Sequence, residues 1–316
     1  MVLHVSNASN IFNSILYADD TNLVSPLSLF SRMPCDINQT SSNINDELSK
    51  IFDWLAVNKL SLNVQKTRYM LFHFPQKKLK ATDIPQLHIN EIAIQRVTEF
   101  NFLGLTIHEN MKWDSHINKI RNKISKTVGV MNRIKRQVNN IILKQIYNAL
   151  IAPHLNYARL CWGFSANKLA KTQKKAVRII TNSAYNAHTE PLFKTLGLLN
   201  VYDIFRLNSI KFLYKYCHKS LPIYFDTIFN TQEVTHVYNT RANMLPWQKI
   251  TRAQRVQTEN SIRYFAPKLH NSLPEMVTEK INTHSLNGTA NYLRNYLLSL
   301  YELDCSIQNC YICQKG

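Results

Sequence analysis

The stretch "SILYADDTNLVS", residues 14 to 25, places two adjacent carboxylates, Asp19 and Asp20, between short apolar runs: Ile15, Leu16, Tyr17 and Ala18 before them, Leu23 and Val24 shortly after. Two such runs about a polar corner predict a β-hairpin with both acids at its tip. Taken alone, an Asp-Asp corner is most often structural, because Asp hydrogen-bonds its own backbone in turns. It is equally a rigid way to present oxygens to a metal ion, since flanking strand ladders fix the corner. The surrounding chain decides between the two.

Composition narrows the choice. The chain has 316 residues, 45% of them hydrophobic, enough for two or three units with real cores. Lys and Arg number 38 against 20 Asp and Glu, a net charge of +18, which favours an anionic partner such as nucleic acid or a membrane surface. No apolar run approaches the roughly 18 residues of a spanning helix, and the N-terminus lacks the basic-then-apolar order of a signal peptide. An intracellular protein, in nucleus or cytoplasm and without a membrane partner, is therefore expected. The six cysteines do not resemble a disulfide framework. Cys35, Cys161 and Cys217 are scattered, whereas Cys305, Cys310 and Cys313 are spaced C-x4-C-x2-C. Three thiolates at that spacing suit Zn2+ but leave a fourth ligand wanting; free thiols are the other reading, and His270 completes a site only if the fold brings it near.

The basic charge is concentrated. Between Ser115 and Thr189 there is no Asp or Glu, while Lys119, Arg121, Lys123, Lys126, Arg133, Lys135, Arg136, Lys144, Arg159, Lys168, Lys171, Lys174, Lys175 and Arg178 supply fourteen positive charges. So long a run of one sign is costly to assemble without an anionic partner. Within it, "INKIRNKISKTVGVMNRIKR" carries Ile117, Ile120, Ile124, Val128, Met131 and Ile134 at steps of three and four, predicting a helix with one packed face. Lys119, Lys123, Lys126 and Arg133 follow the same period on a neighbouring face, a pattern suited to tracking phosphates.

Three regions follow. Residues 1–108 mix short strand-like runs with a helix in "NINDELSKIFDWLAVNKL", where Ile44, Leu48, Ile51, Trp54 and Leu55 form one stripe opened by acids. "KTRYMLFHF" alternates like a strand, "LHINEIAIQRV" reads as a small hairpin and "FNFLGLTI" as a further strand. Residues 109–220 are almost wholly helical, with a break at Pro153 and a new helix capped by Thr189 with Glu190 and Pro191 in its first turn. Residues 221–316 are more polar, and no fold is assigned to them.

Nucleotidyl transfer uses two divalent ions roughly 4 Å apart, bridged by carboxylates, to activate a 3′-hydroxyl and steady the departing pyrophosphate. "YADD" followed by a helix, then "LSLNVQKTRYMLF", then "FNFLGLTI" resembles the second half of a reverse-transcriptase palm. "MKWDSHINKIRNKISKTVGVMNRIK", "LIAPHLNYARLCWG", "KKAVRIITNSAYNAHTEPLF" and "SIRYFAPKLHNSLPEM" continue the similarity through the thumb and C-terminal region of non-LTR, LINE-type, jockey-like retrotransposon polymerases. The resemblance implies an α+β chain: a partial palm over 1–108, a basic helical thumb over 109–220 and a C-terminal region over 221–316. It assigns Asp19 as an Mg2+ ligand with Asp20 as its weaker neighbour and sets Tyr17 beneath the primer end. Lys66, in the motif with Asn63 and Thr67, would assist the leaving pyrophosphate, and Phe102, Leu103 and Gly104 would grip the primer. RNA template, DNA primer and deoxynucleotide are the implied partners.

The departures are as informative. The family completes its metal site with an Asp on a strand well upstream, and the eighteen residues before Asp19 contain no acid. Two carboxylates offset the dehydration of two ions poorly. His270 stands where relatives commonly carry a tryptophan, and Ala266 where glycine is usual. The expectation is a truncated RNA-directed DNA polymerase without fingers or endonuclease, inactive alone. The other expectation is a nucleic-acid-binding protein that acts through the basic helices with little sequence preference.

Overall fold

The computed structural model describes residues 8–17, 20–25, 37–76, 79–80, 83–227, 229, 261–283 and 285–302. It divides into two compact units, Met1–Lys112 and Trp113–Gly316.

In the first unit, strands β1 (Asn13–Tyr17) and β2 (Asp20–Val24) pair antiparallel, with Tyr17 opposite Asp20 and Asn13 opposite Val24. The expected hairpin is present. Ile15, Leu16 and Tyr17 are exposed, whereas Leu23 turns onto a core formed by Ile44, Leu48, Leu87, Ile89 and Ile94. Helix α1 (Ile37–Val57) supplies Ile44, Leu48 and Ile51 to the buried side, as its spacing predicts. It begins earlier than expected, so Asp46 and Glu47 lie within the helix and do not open it. A short polar run does not stop a helix whose stability comes from packing its apolar face. Glu47 serves a different purpose there: its Oε2 accepts from Ser9 Oγ and from the Asn10 amide at 3.2 Å, tying the hairpin's leading segment to α1. Asn45 clamps the same helix to the next strands, donating to the Gln86 carbonyl at 3.2 Å and accepting from the His88 amide at 3.0 Å.

The rest of this unit consists of two-residue and four-residue strands. The run "KTRYMLFHF" contributes only β3 (Arg68–Tyr69); Phe72 and Phe74 are exposed. Strands β4 (His88–Ile89) and β5 (Ile92–Ala93) form the expected hairpin about Asn90 and Glu91, both left-handed at φ 50° and 64°. β6 (Gln95–Arg96) pairs in parallel with β3. The run "FNFLGLTI", read as one strand, is instead an antiparallel pair, β7 (Glu99–Phe102) and β8 (Leu105–His108). Leu103 at φ 45° and Gly104 at φ 76° make its two-residue turn. Two consecutive left-handed residues match the right-handed twist of the flanking strands.

The second unit is helical: α2 (Asp114–Ile134), α3 (Asn140–Leu150), α4 (Ala152–Asn156), α5 (Arg159–Trp162), α6 (Asn167–Ile180), α7 (Glu190–Leu196), α8 (Val201–Cys217), α9 (Ile262–Asn271), α10 (Glu275–Thr283) and α11 (Leu286–Ser299). α2 buries Ile117, Ile120, Ile124, Val128 and Met131 and packs on α6, which buries Leu169, Ala176, Val177 and Ile180. Asn139 caps α3, its side chain accepting from the Ile142 amide at 2.9 Å, and Pro153 opens α4 where the break is expected. Thr189 stands at the N-cap of α7 but in helical backbone with no capping hydrogen bond from its side chain, so the cap predicted there does not form. A cap needs extended φ/ψ to aim its oxygen at the first turn. Asn200 has that geometry at α8, and its side chain accepts from the amides of Tyr202 and Asp203. Beyond Pro222 the helices pack back on α8: α9 and α11 both lie against it, and the Asn200 amide donates to Tyr301 Oη at 2.8 Å. No helix among the described residues is long and apolar enough to cross a membrane.

Candidate nucleic-acid interface

The surface of α2 follows from its sequence period. With the isoleucine stripe turned onto α6, Lys119, Lys123, Lys126 and Arg133 fall on a solvent-facing side, and all four are exposed. Two histidines register the resulting field. His116, buried in α2, is held below the ordinary imidazole range first by burial and then by Lys119 and Lys123. His154 on α4 is lowered likewise, by burial and then by Lys123. A neutral imidazole adds no further charge to a cationic surface. Asp114, just before the acid-free run, pairs with one of its cations: its Oδ1 accepts from Lys168 Nζ at 2.7 Å.

Arg159 belongs to the core, not the surface. It is 2% exposed, donates to the Val201 carbonyl and lies with Cζ 4.4 Å from the Trp162 ring centre. Burial lowers its pKa to about 9. Asp203, also buried, is raised by that burial despite Arg206 at 2.8 Å and Asn200 at 2.7 Å.

A second cationic feature was not singled out by sequence. Lys168, Lys171, Lys175 and Arg178 recur at steps of three, four and three, so they form one stripe along α6. Its Lys175 and Arg178 line a groove of about 460 Å³ between α2 and α6. The fourteen charges were counted as a total, and this spacing was the signal that could have separated them.

The acidic hairpin is more sparsely defined. Tyr17 and Asp20 are opposite one another, both exposed; Asp19 lies outside the described residues. Lys66 sits in a turn whose geometry Asn63 sets: the Lys66 amide donates to the Asn63 carbonyl and to Asn63 Oδ1, each at 3.1 Å. No hydrogen bond or ion pair joins Lys66 to Asp20 among the described residues. Phe102, Leu103 and Gly104 come together at the β7–β8 turn. Among the described residues no three His, Cys, Asp or Glu side chains gather where a metal ion could bind. Those residues alone therefore do not form a two-ion seat. Cys35, Cys305, Cys310 and Cys313 lie outside the described residues; Cys161 and Cys217 are free thiols. His270 is buried in α9, its pKa depressed by that burial to about 4.

No family model and no solved structure matches the chain. Two curated proteins do. The RNA-directed DNA polymerase from mobile element jockey of Drosophila funebris is 22% identical over 197 residues, 60% of this chain. Its counterpart from Drosophila melanogaster is 22% identical over 194 residues, 59% of this chain. The aligned segment spans 20% of the length of each relative. The chain is thus a distant, jockey-like relative of RNA-directed DNA polymerases, and this homology supports a reverse-transcriptase-family origin.

Proposed function

We propose that these residues serve as the nucleic-acid-gripping portion of a non-LTR retrotransposon RNA-directed DNA polymerase, holding an RNA template and DNA primer through the basic helical unit. The observation that carries the reading is the exposed row of Lys119, Lys123, Lys126 and Arg133 on a helix that opens a 75-residue run, Ser115 to Thr189, without an acid. Cations on one helical face at steps of three, four and seven bind phosphate oxygens and release condensed counterions, which gives affinity without sequence preference.

The family origin suggests the remaining roles. Tyr17 and the Phe102–Gly104 turn would contact the primer, and Lys66 would neutralise phosphate charge of the deoxynucleotide as pyrophosphate leaves. Asp19 and Asp20 would be ligands of Mg2+, which when bound supplies Lewis-acid stabilisation of the transferring phosphoryl group. A polypeptide limited to these 316 residues presents two of the carboxylates and not the third, so it is proposed to bind primer–template without extending it. A second reading, a binding protein with no part in polymerisation, uses the same α2 surface.

Both parts are tested on one preparation, with an RNA template annealed to a DNA primer, Mg2+ and deoxynucleotides. Binding without extension is expected. Robust extension that Asp19→Ala abolishes would overturn the inactive part, and absence of binding at low salt would overturn the gripping part.

A further inference from the structure

The groove between α2 and α6 lies on a different side of α2 from the Lys119–Arg133 row. At 100° per residue, its α2 lining residues Ser125, Gly129 and Asn132 centre about a third of a turn away from that row. Resting on the reading that this unit binds nucleic acid, we infer that the groove is a separate seat for single-stranded nucleic acid, with phosphates along α6 and a base against Tyr185.

Three observations carry this. First, the groove is built from complementary chemistry: Lys135, Lys175 and Arg178 supply charge, while Ser125, Asn132 and Thr172 supply neutral hydrogen-bonding groups over a floor that includes Val128 and Ile179. No acid lines it. Arg178 is already oriented, because its Nε donates to the Ala187 carbonyl at 2.9 Å; the two Nη groups of the fork remain for a phosphate. Gly129 keeps the α2 wall low, since a Cβ there would meet nothing within 4 Å.

Second, Tyr185 at the rim is 81% exposed. An aromatic ring held at the edge of a cationic groove offers a face for an unpaired base. A duplex offers none, because its bases are stacked on one another.

Third, the spacing suits a run of phosphates. Lys171, Lys175 and Arg178 stand about 6 and about 4.5 Å apart along the axis of α6, so neighbouring cations can meet neighbouring phosphates of one strand. α2 and α6 run in the same direction, as the Asp114–Lys168 pair at their first turns and the shared lining by Lys135 and Arg178 at their ends require. The groove is therefore an open channel beside their interface.

The test is fluorescence anisotropy of the full chain with a labelled oligothymidylate of about twelve nucleotides and, separately, a duplex of the same length. Tyr185→Ala is expected to weaken single-strand binding about tenfold, with Tyr185→Phe restoring it, and to leave duplex binding within about twofold. Gly129→Leu, which fills the groove from an exposed helix position, should repeat the pattern. Equal weakening of both probes, or equal behaviour of the Ala and Phe variants, would overturn the inference while leaving the α2 reading intact. Failure of the unaltered chain to bind either probe would overturn both. Binding to vesicles of anionic lipid that competes with the oligonucleotide and is equally sensitive to Tyr185→Ala would reassign the groove to lipid headgroups.

Discussion

Lys168 Nζ donates to Asp114 Oδ1 at 2.7 Å, joining the first turns of α6 and α2 across 54 residues of sequence. The side chains are 46% and 67% exposed, so the pair aligns two helices already held by Ile117, Ile124, Leu169 and Val177. Asp114→Asn should lower stability by about 0.5 kcal/mol, and certainly less than about 1 kcal/mol, with the effect shrinking as salt screens the pair. Urea denaturation at low and high salt measures this. A loss above about 2 kcal/mol would mean that the contact, not the apolar seam, holds the helices together.

Gly163 has no room for a side chain. A Cβ there would run into the ring of Phe205, and Phe205 is fixed between Phe164 and Phe265 at ring distances of 4.5 and 4.7 Å. Gly163→Ala is expected to destabilise the helical unit by about 1 to 3 kcal/mol through overpacking. Pairing it with Phe205→Leu should recover part of the loss, which a double-mutant cycle reads directly.

The β7–β8 turn carries strain in a known place. Leu103 at φ 45° occupies a position that favours Asn or Gly. Leu103→Asn should therefore raise stability by about 0.5 to 1 kcal/mol, while Gly104→Ala, at φ 76°, should lower it by about 1 kcal/mol. If Leu103→Asn stabilises the chain and weakens primer–template binding, the apolar tip is retained for contact. Unchanged binding would remove Leu103 from the interface.

His270 links acid sensitivity to α9. Its folded-state pKa of about 4 lies below the ordinary 6.5 because burial disfavours the charged ring. The unfolded chain therefore binds the proton more readily, so stability is fully present above pH 6.5 and falls as pH drops toward 4. The drop is at most about 3 kcal/mol from this residue. His270→Leu should flatten that part of the profile; a profile identical to the unaltered chain would show that His270 is not the group that titrates.

Legibility in the sequence followed the strength of the period. The stripe Ile117, Ile120, Ile124, Val128, Met131 located α2 and its buried side because packing obeys the same 3.6-residue repeat. Asn90 and Glu91 sit where a polar pair between short apolar runs predicts a turn. Leu103 broke that rule: an apolar residue at a left-handed position hid the turn inside "FNFLGLTI", and Gly104 was its only mark. Thr189 had the right residue type for a cap and the wrong backbone, which sequence does not reveal. The groove escaped notice because it is built by α2 and α6, some forty residues apart in the chain. Of the acidic corner, the strand pairing was legible and is observed, with Tyr17 opposite Asp20.

The central claim is that the α2 surface binds nucleic acid through its phosphates. Its most direct test is the salt dependence of affinity for an RNA/DNA primer–template between about 50 and about 200 mM, measured for the unaltered chain and for a variant with Lys119, Lys123, Lys126 and Arg133 all changed to Ala. The predicted result is a steep log–log slope for the unaltered chain and a slope shallower by about 3.6 units in the variant, as the four lost phosphate contacts require. The same affinity and slope in both proteins would contradict it.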